Sequence, residues 1–298
     1  GTPKPMQVEK KRMEASARLT CSFLGLKEGD SALLCMPLQY IAGKMVVVRS
    51  LVAGLRLIPM APSGHPLKDL KEAPTFAAMI PMQVYNTLQV PEEKAILMGI
   101  KHLIIGGGAI DDALANELKD FPNQVWSTYG MTETLSHIAL RRLNGTDASD
   151  WYTPFDNVRI QLSEEGTLII HAPNVCAEEL TTNDIAEINE EGKFRILGRK
   201  DNTINSGGVK IQIEQVEATL KAHLDIPFQI TARKDAKFGE IVVLIYNKVG
   251  NEDDIRRVCE SELPTYWVPS AYIAVDELPM TGTGKPDRAS ARRIANGK

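Results

Sequence analysis

The sequence of 298 residues is longer than one hydrophobic core usually grows, and 43% of its residues are apolar, so two domains are expected. The 34 lysines and arginines against 38 aspartates and glutamates give a net charge of −4, with both signs scattered along the chain. This balance gives no electrostatic reason to expect nucleic acid or an anionic membrane as a partner, and it favours a small substrate. Because no apolar run approaches the roughly 18–20 residues of a membrane span, membrane insertion is not expected and a cytoplasmic location is predicted.

Up to about residue 130, short apolar runs rich in β-formers alternate with helix-like stretches. Strands are predicted at Ser31–Met36, Arg56–Met60, Phe76–Ile80, His102–Ile105 and Gln124–Tyr129. Helices are predicted between them at Lys44–Ala53, Met82–Leu88 and Asp111–Phe121. Such alternation indicates a mainly parallel α/β sheet.

After Asp150 the pattern changes to shorter strands with turns, which predicts a small antiparallel or β-barrel-like subdomain. Its strands are expected at Val158–Leu162, Thr167–His171 and Lys193–Leu197. From Asn202 onward a compact α+β domain is predicted. Its helices are expected at Glu214–His223, Asp253–Leu263 and Arg288–Ala295, and its strands at Gln229–Ala232, Glu240–Asn247 and Tyr272–Val275. The two predicted domains are therefore 1–200 and 201–298.

The segment Tyr129–Thr134 reads Tyr-Gly-Met-Thr-Glu-Thr and follows a predicted buried strand. A helix is expected to begin here, so that backbone amides and the hydroxyls of Thr132 and Thr134 face an anionic group. Glu133 adds a hard oxygen ligand that suits Mg²⁺. A capping threonine followed by a first-turn acid is the purely structural alternative.

Two further motifs stand later in the chain. Gly198–Asp201 reads Gly-Arg-Lys-Asp and follows Asp184, while Thr281–Lys285 reads Thr-Gly-Thr-Gly-Lys ahead of the last predicted helix. A lysine on a glycine-rich loop can be carried into a site on another domain. Taken alone, Asp184 is a typical turn residue and Lys285 a typical solvated lysine.

The order and separation of the three motifs resemble the adenylate-forming superfamily, which contains the acyl-CoA synthetases, firefly luciferase and the adenylation domains of nonribosomal peptide synthetases. The resemblance spans nearly the whole chain. It implies a large N-terminal domain and a small C-terminal domain that rotates about a hinge at Asp201. It also implies ATP, Mg²⁺ and coenzyme A, with an acyl adenylate as the intermediate.

The same resemblance implies roles for individual residues. Thr132 and Glu133 would act in catalysis, with Glu133 holding the metal, and Lys285 would neutralise charge as pyrophosphate leaves. Asp184 and Arg199 would bind the ribose, although the family usually has glycine where this chain has Asn183. Further nucleotide and coenzyme A contacts are expected at Thr2, Lys4, Gly107, Gly108, Ala109, Tyr129, Gly130, Met131, Gly207 and Gly208.

Gly1–Pro5 resembles only the tail of the family's phosphate loop. An N-terminally shortened protein that binds adenylate with weak catalysis is therefore one alternative to a full ligase.

The segment from Pro37 to Arg56 resembles the acyl pocket of the o-succinylbenzoate:CoA ligases of menaquinone biosynthesis. Arg49 stands among valines and leucines on a predicted buried helix, where an unpaired guanidinium is unfavourable. The second carboxylate of a dicarboxylate substrate can be its partner, and an internal salt bridge is the alternative. Other candidate residues of the acid pocket are Tyr40, Gly106, Ser136 and His137.

The sequence thus predicts an ATP-dependent acid:CoA ligase, with o-succinylbenzoate as the leading carboxylic acid. Another aryl-CoA, acyl-CoA or carrier-protein ligase is the enzymatic alternative. A homo-oligomer is left open.

Overall fold

The computed structural model describes residues 7–108, 110, 112–281 and 286–297, which divide into two compact units. The N-terminal unit holds the described residues up to Ser163, together with Ile169–Thr181 and Ile188–Arg195. The C-terminal unit holds Glu164–Leu168, Thr182–Glu187 and the described residues from Ile196 onward. The chain passes for the last time from the N-terminal to the C-terminal unit between Arg195 and Ile196.

A seven-stranded sheet forms the centre of the N-terminal unit. Its strands are β1 (Ser31–Leu34), β2 (Arg56–Pro59), β3 (Phe76–Met79), β4 (His102–Ile105), β5 (Gln124–Gly130), β6 (His137–Arg142) and β7 (Thr153–Pro154). They lie in the order β2-β1-β3-β4-β5-β6-β7. The first five strands are parallel, whereas β6 and β7 pair antiparallel. The prediction of a mainly parallel α/β sheet is confirmed.

Helices cover both faces of this sheet. They are α1 (Lys10–Leu24), α2 (Ile41–Ala53), α3 (Pro81–Leu88), α4 (Pro91–Gly99) and α5 (Asp112–Leu118). Buried residues of α1 and α2 share one apolar core with Ala32 and Leu34 of β1, whereas α3, α4 and α5 share the other core with Leu33. Successive strand residues point to opposite faces of the sheet, and both faces are covered by helices. Strands β1, β3 and β4 are therefore buried along their whole length, which explains their mostly apolar sequences.

A second, four-stranded sheet follows. Its strands are β8 (Arg159–Leu162), β9 (Thr167–His171), β10 (Leu180–Ile188) and β11 (Phe194–Arg199), in the order β11-β10-β9-β8. Two glycines with positive φ stand in its turns, Gly166 between β8 and β9 and Gly192 between β10 and β11. The predicted small barrel-like subdomain is confirmed as a half-barrel sheet. Sequence patterning missed β10, because the polar run Thr182–Asp184 lies inside it.

The C-terminal unit has an α+β fold, as predicted. Its elements are β12 (Thr203–Ser206), β13 (Val209–Gln212), α6 (Ile213–Lys221), β14 (Phe228–Asp235), β15 (Gly239–Asn247), α7 (Glu252–Glu262), β16 (Ala271–Val275) and α8 (Arg288–Ala295). The strands lie in the order β13-β12-β15-β14, with β16 parallel to β15. One face of the sheet packs on α6 and α7, and the other packs on α8. Among the helices of the described residues, none combines the length and apolar character of a membrane span.

The connection from β5 to β6 differs from the sequence prediction. No helix begins after Tyr129, and the chain returns through a short loop into the antiparallel strand β6. Gly130 lies against that returning strand, because a Cβ on it would stand 2.4 Å from the Cα of His137 and from the carbonyl oxygen of Ser136. A capping-like Thr-Glu pair therefore occupies a strand-to-strand loop.

Gly130→Ala is expected to destabilise the protein, because the atoms in its way belong to the backbone and cannot rotate aside. We expect a loss of about 2–3 kcal/mol in the free energy of unfolding, measured by chemical denaturation. Gly108→Ala is the matched control, since its Cβ would meet Pro81 at an ordinary 3.5 Å. Equal stability of the two variants would contradict the close approach of β6 to Gly130.

Candidate active site

The parallel strands place several predicted site residues at one edge of the sheet. Because β1, β3, β4 and β5 run parallel, their carboxyl ends meet at that edge. The glycine run Gly106–Gly108 directly follows β4, and the loop 131–136 directly follows β5. In open α/β sheets ligands bind at this edge.

The loop 131–136 is held by one buried side chain. Thr134 is fully buried, and its hydroxyl accepts from the backbone N–H of Met131 at 3.0 Å and faces the carbonyl oxygen of Ser136 at 2.7 Å. Thr132 and Glu133, which precede it, are exposed. The structure thus keeps the hydroxyl of Thr132 and the carboxylate of Glu133 available to a ligand, while Thr134 serves the loop.

Two of the predicted glycines stand where a larger residue would meet a close contact or an unfavourable backbone conformation. A Cβ on Gly106 would lie 2.4 Å from the hydroxyl oxygen of Thr128 on β5, and Gly107 has a φ of +78°. Both positions therefore favour glycine on steric grounds. Tyr129, on the neighbouring strand, packs its ring edge-on against Phe194 with the ring centroids 5.0 Å apart.

Arg49 on α2 is buried, with 2% of its surface exposed. Its Nη2 donates a hydrogen bond of 2.6 Å to the hydroxyl of Ser136, and its Nε has no hydrogen-bond partner. Among the described residues no aspartate or glutamate forms an ion pair with it, so the internal salt bridge considered above is not found there. Burial lowers the pKa of Arg49 to about 10, which still leaves the guanidinium charged at neutral pH.

His137 connects this group to helix α1. Its Nδ1 lies 3.2 Å from the hydroxyl of Ser136, and its Nε2 lies 3.0 Å from the hydroxyl of Thr20. Burial, and secondarily the charge of Arg49, hold the pKa of His137 well below its usual value, so the imidazole is neutral at neutral pH. Three of the predicted acid-pocket positions, Arg49, Ser136 and His137, thus form one hydrogen-bonded group.

Two acid-pocket candidates remain, Gly106 and Tyr40, and Tyr40 does not belong to this group. Its side chain is 59% exposed, and the residue precedes the first turn of α2. Thr20, in contrast, belongs to the group although no motif pointed to it. The available signal was the polar pair Ser16 and Thr20, which shares the buried face of α1 with Ala17, Cys21 and Leu24.

In the C-terminal unit the predicted ribose residues are paired with each other. Arg199 lies 3.3 Å from a carboxylate oxygen of Asp184 and 2.9 Å from one of Asp201. Asn183, where the family usually has glycine, donates to Asp201 at 3.3 Å. The structure therefore gathers Asp184, Arg199 and the predicted hinge residue Asp201 into one polar cluster.

The glycine pair predicted to lie near coenzyme A forms the turn of the β12–β13 hairpin. Gly207 and Gly208 have φ values of +56° and +88°, a combination that favours glycine at both positions. A Cβ on Gly208 would meet no atom within 4 Å, whereas one on Gly207 would stand 3.1 Å from the ring of Phe238, so the backbone is open at Gly208. The remaining predicted site residues, Thr2, Lys4, Ala109 and Lys285, lie outside the described residues.

Two protein-family models match the chain. Residues 1–176 match the model of the AMP-binding enzyme family, and residues 215–285 match the model of the AMP-binding enzyme C-terminal domain. The chain belongs to the AMP-binding enzyme family. It is accordingly an adenylate-forming enzyme, and the resemblance inferred from the three motifs is confirmed.

Individual relatives agree with this assignment. The chain is 26% identical to a protein named 2-succinylbenzoate--CoA ligase from Bacillus mycoides (strain KBAB4), over 99% of this chain and 68% of that protein. It is 33% identical to an acyl-CoA synthetase (AMP-forming)/AMP-acid ligase II-like protein from Dyadobacter fermentans, whose structure superposes with a TM-score of 0.67 over 97% of this chain and 85% of that one.

The fold is also that of the o-succinylbenzoate CoA synthetase MenE from Bacillus subtilis, solved with the acyl-adenylate intermediate OSB-AMP. That protein is 23% identical to this chain, with a TM-score of 0.80 over 98% of this chain and 66% of that one. The same Bacillus subtilis protein has also been solved with ATP and magnesium.

The buried neutral state of His137 predicts a pH dependence of stability. Its pKa in the folded protein lies below that of the unfolded chain, so the unfolded chain binds more protons as the pH falls. The contribution of neutral His137 to the free energy of unfolding is fully present above about pH 6.5 and is lost below it. The loss amounts to about 1.4 kcal/mol between pH 7.5 and 5.5. Over the same pH range, the free energy of unfolding of His137→Asn and of His137→Phe should fall by about 1.4 kcal/mol less than that of the unmodified protein. Denaturation at each pH measures the difference. Parallel pH profiles for all three proteins would contradict a buried neutral His137.

Proposed function

We propose that this chain is an ATP-dependent acid:CoA ligase that activates o-succinylbenzoate as an acyl adenylate. The observation that carries the choice of acid is the buried guanidinium of Arg49, for which the described residues supply no carboxylate. A buried charge without a counter-ion is unfavourable, and a ligand carboxylate relieves that penalty. o-Succinylbenzoate carries one carboxylate to be activated and a second on its ring. The name of the Bacillus mycoides relative supports the same acid.

In the first half-reaction a carboxylate oxygen of the acid attacks the α-phosphorus of ATP, and pyrophosphate leaves. We assign Thr132 to the α-phosphate and Glu133 to Mg²⁺, which neutralises phosphate charge when bound. The exposed carboxylate of Glu133 fits this ion, because Mg²⁺ is typically held by one or two carboxylates together with substrate phosphates. Lys285 would add a positive charge where charge builds up in the transition state.

The remaining nucleotide contacts follow from the same assignment. Tyr129, Gly130, Met131 and the run Gly106–Gly108 would border the base and the adenylate, and Thr2, Lys4 and Ala109 keep their predicted contacts. Asp184 and Arg199 would bind the ribose hydroxyls. Asp184 can accept from both hydroxyls, because a carboxylate offers two acceptor oxygens.

In the second half-reaction the thiol of coenzyme A attacks the acyl carbon, AMP leaves as the carbon–oxygen bond breaks, and the thiol proton is released. Gly207 and Gly208 would border the pantetheine, and the open backbone at Gly208 supports that role. Two half-reactions in one site require two arrangements of the domains 1–200 and 201–298, which would interchange by rotation at Asp201. A role in menaquinone biosynthesis follows from the acid. The cytoplasmic location and the homo-oligomer stay predictions.

Pyrophosphate release from MgATP tests the ligase. Release is expected to require o-succinylbenzoate and to fall about 100- to 1,000-fold in Lys285→Ala and Glu133→Gln, since each variant removes an electrostatic stabiliser of the transition state. Lys221→Ala, at an exposed position in the last turn of α6, is the control for Lys285 and should keep full activity. Binding of AMP without release of pyrophosphate from ATP in the presence of any acid would contradict the proposal and favour a protein that only binds adenylate.

Arg49→Met tests the choice of acid. The variant is expected to lower kcat/KM for o-succinylbenzoate at least about 100-fold, because it removes a charged partner of the second carboxylate. Its effect on 3-benzoylpropionate, which lacks the ring carboxylate, should stay within about threefold. Lys44→Met, on the exposed side of the same helix, is the matched control. Equal losses for both acids, or better use of another acid by the unmodified protein, would overturn o-succinylbenzoate as the substrate.

A further inference from the structure

A chain of hydrogen bonds runs from Arg49 to a residue that the proposed function does not use. It passes from Arg49 to Ser136 at 2.6 Å, from Ser136 to His137 at 3.2 Å, and from His137 to Thr20 at 3.0 Å. Thr20 lies on α1, fully buried, and its hydroxyl also faces the carbonyl oxygen of Ser16 at 3.4 Å. We call these four side chains the relay.

The chemistry of the four groups limits how the relay can be protonated. A guanidinium can only donate, so the hydroxyl oxygen of Ser136 must accept from Arg49. A neutral imidazole has one nitrogen that donates and one that accepts. Only two arrangements then satisfy both neighbours of His137.

In the first arrangement the Nε2 of His137 carries the proton and donates to Thr20. The hydroxyl of Ser136 then donates to the Nδ1 of His137, and the hydroxyl of Thr20 turns to the carbonyl of Ser16. Each donor of the three bonds from Ser136 onward has an acceptor. The hydrogen of Ser136 is directed into the protein.

In the second arrangement the Nδ1 of His137 carries the proton and donates to Ser136, while Thr20 donates to the Nε2. The hydroxyl of Ser136 keeps its hydrogen but no longer donates it to His137, so this hydrogen requires an acceptor outside the relay. Ser136 is only partly buried, so a ligand oxygen can reach it. A carboxylate bound beside Arg49 would supply that acceptor.

We propose that Thr20 and His137 are positioning residues that turn the hydroxyl of Ser136 from the protein to the second carboxylate of the acid when that acid binds. The inference rests on the proposed function and identifies how its pocket recognises the second acid group. The ligand receives hydrogen bonds from Arg49 and Ser136. The relay contributes one positive charge, that of Arg49, which matches a singly charged carboxylate.

The tautomer of His137 gives a direct readout of this exchange. In protein labelled with ¹⁵N-histidine, neutral His137 should carry its proton on Nε2 in the free protein. It should carry the proton on Nδ1 after addition of o-succinylbenzoate and AMP, a mixture in which no adenylate forms. The spectrum of His137→Asn assigns the signal. The same tautomer in both states, in a protein that turns over o-succinylbenzoate, would overturn the relay and leave the proposed function standing.

The kinetic test uses Thr20→Val, a change that keeps the shape of the side chain. The variant removes the acceptor that the Nε2–H of His137 needs in the first arrangement. A buried N–H without an acceptor is less favourable than the unprotonated Nε2 without a donor that the second arrangement would leave. The free protein should therefore already hold the second arrangement. The KM for o-succinylbenzoate should fall about threefold, with the KM for 3-benzoylpropionate unchanged within about 1.5-fold.

Thr20→Ser is the matched control, because it keeps the hydroxyl and should behave like the unmodified protein. A purely structural role of Thr20 would raise the KM for both acids or lower kcat, and either result would overturn the relay. Absence of o-succinylbenzoate turnover in the unmodified protein would instead reject the proposed function, and the relay with it.

Discussion

The short return from β5 into β6 is the constraint on which both halves of the site depend. Because Gly130 has no side chain, β6 can pass within contact distance, and Thr134 then closes the loop through its hydroxyl. Residues before Thr134 stay exposed at the carboxyl edge of the sheet, whereas Ser136 and His137 are carried toward α1 and α2. In the proposed function, one loop thereby presents a nucleotide-facing side and an acid-facing side a few residues apart. In the proposed reaction these are the two sides that must meet at the α-phosphate.

The electrostatics of the acid-facing side follow from burial. Arg49 keeps its charge because even a strongly lowered pKa remains far above neutral pH, whereas the same burial makes His137 neutral. A second positive charge next to Arg49 would add repulsion in a region of low dielectric. A neutral imidazole avoids this repulsion and still links Ser136 to α1, since it can donate at one nitrogen and accept at the other. The pair therefore combines one fixed charge with one adjustable hydrogen-bond partner.

The sequence predicted the parallel sheet well because strands buried on both faces leave continuous apolar runs, as at Phe76–Ile80 and His102–Ile105. The prediction from sequence was wrong where a loop has the residue types that are typical of a helix N-terminus. The Thr-Glu pair after Met131 looks like a helix start, and only the long-range contact between Gly130 and β6 shows that it is a loop. Arg49 could be singled out because a charged residue among valines is conspicuous. Thr20 could not, because a threonine on a helix carries no sign of a partner that lies 117 residues further along the chain.

The polar cluster of the C-terminal unit has a consequence for the proposed nucleotide site. Arg199 divides its guanidinium between Asp184 and Asp201, and both ion pairs are at least partly exposed. Exposed ion pairs contribute at most about 1 kcal/mol each, so ribose hydroxyls can replace part of this network at low cost. A ribose that takes over the carboxylate of Asp184 would leave Arg199 paired with Asp201. Under the proposed function, nucleotide binding and the restraint on the proposed hinge residue Asp201 are coupled through one arginine, with a coupling no larger than the weak ion pairs it exchanges.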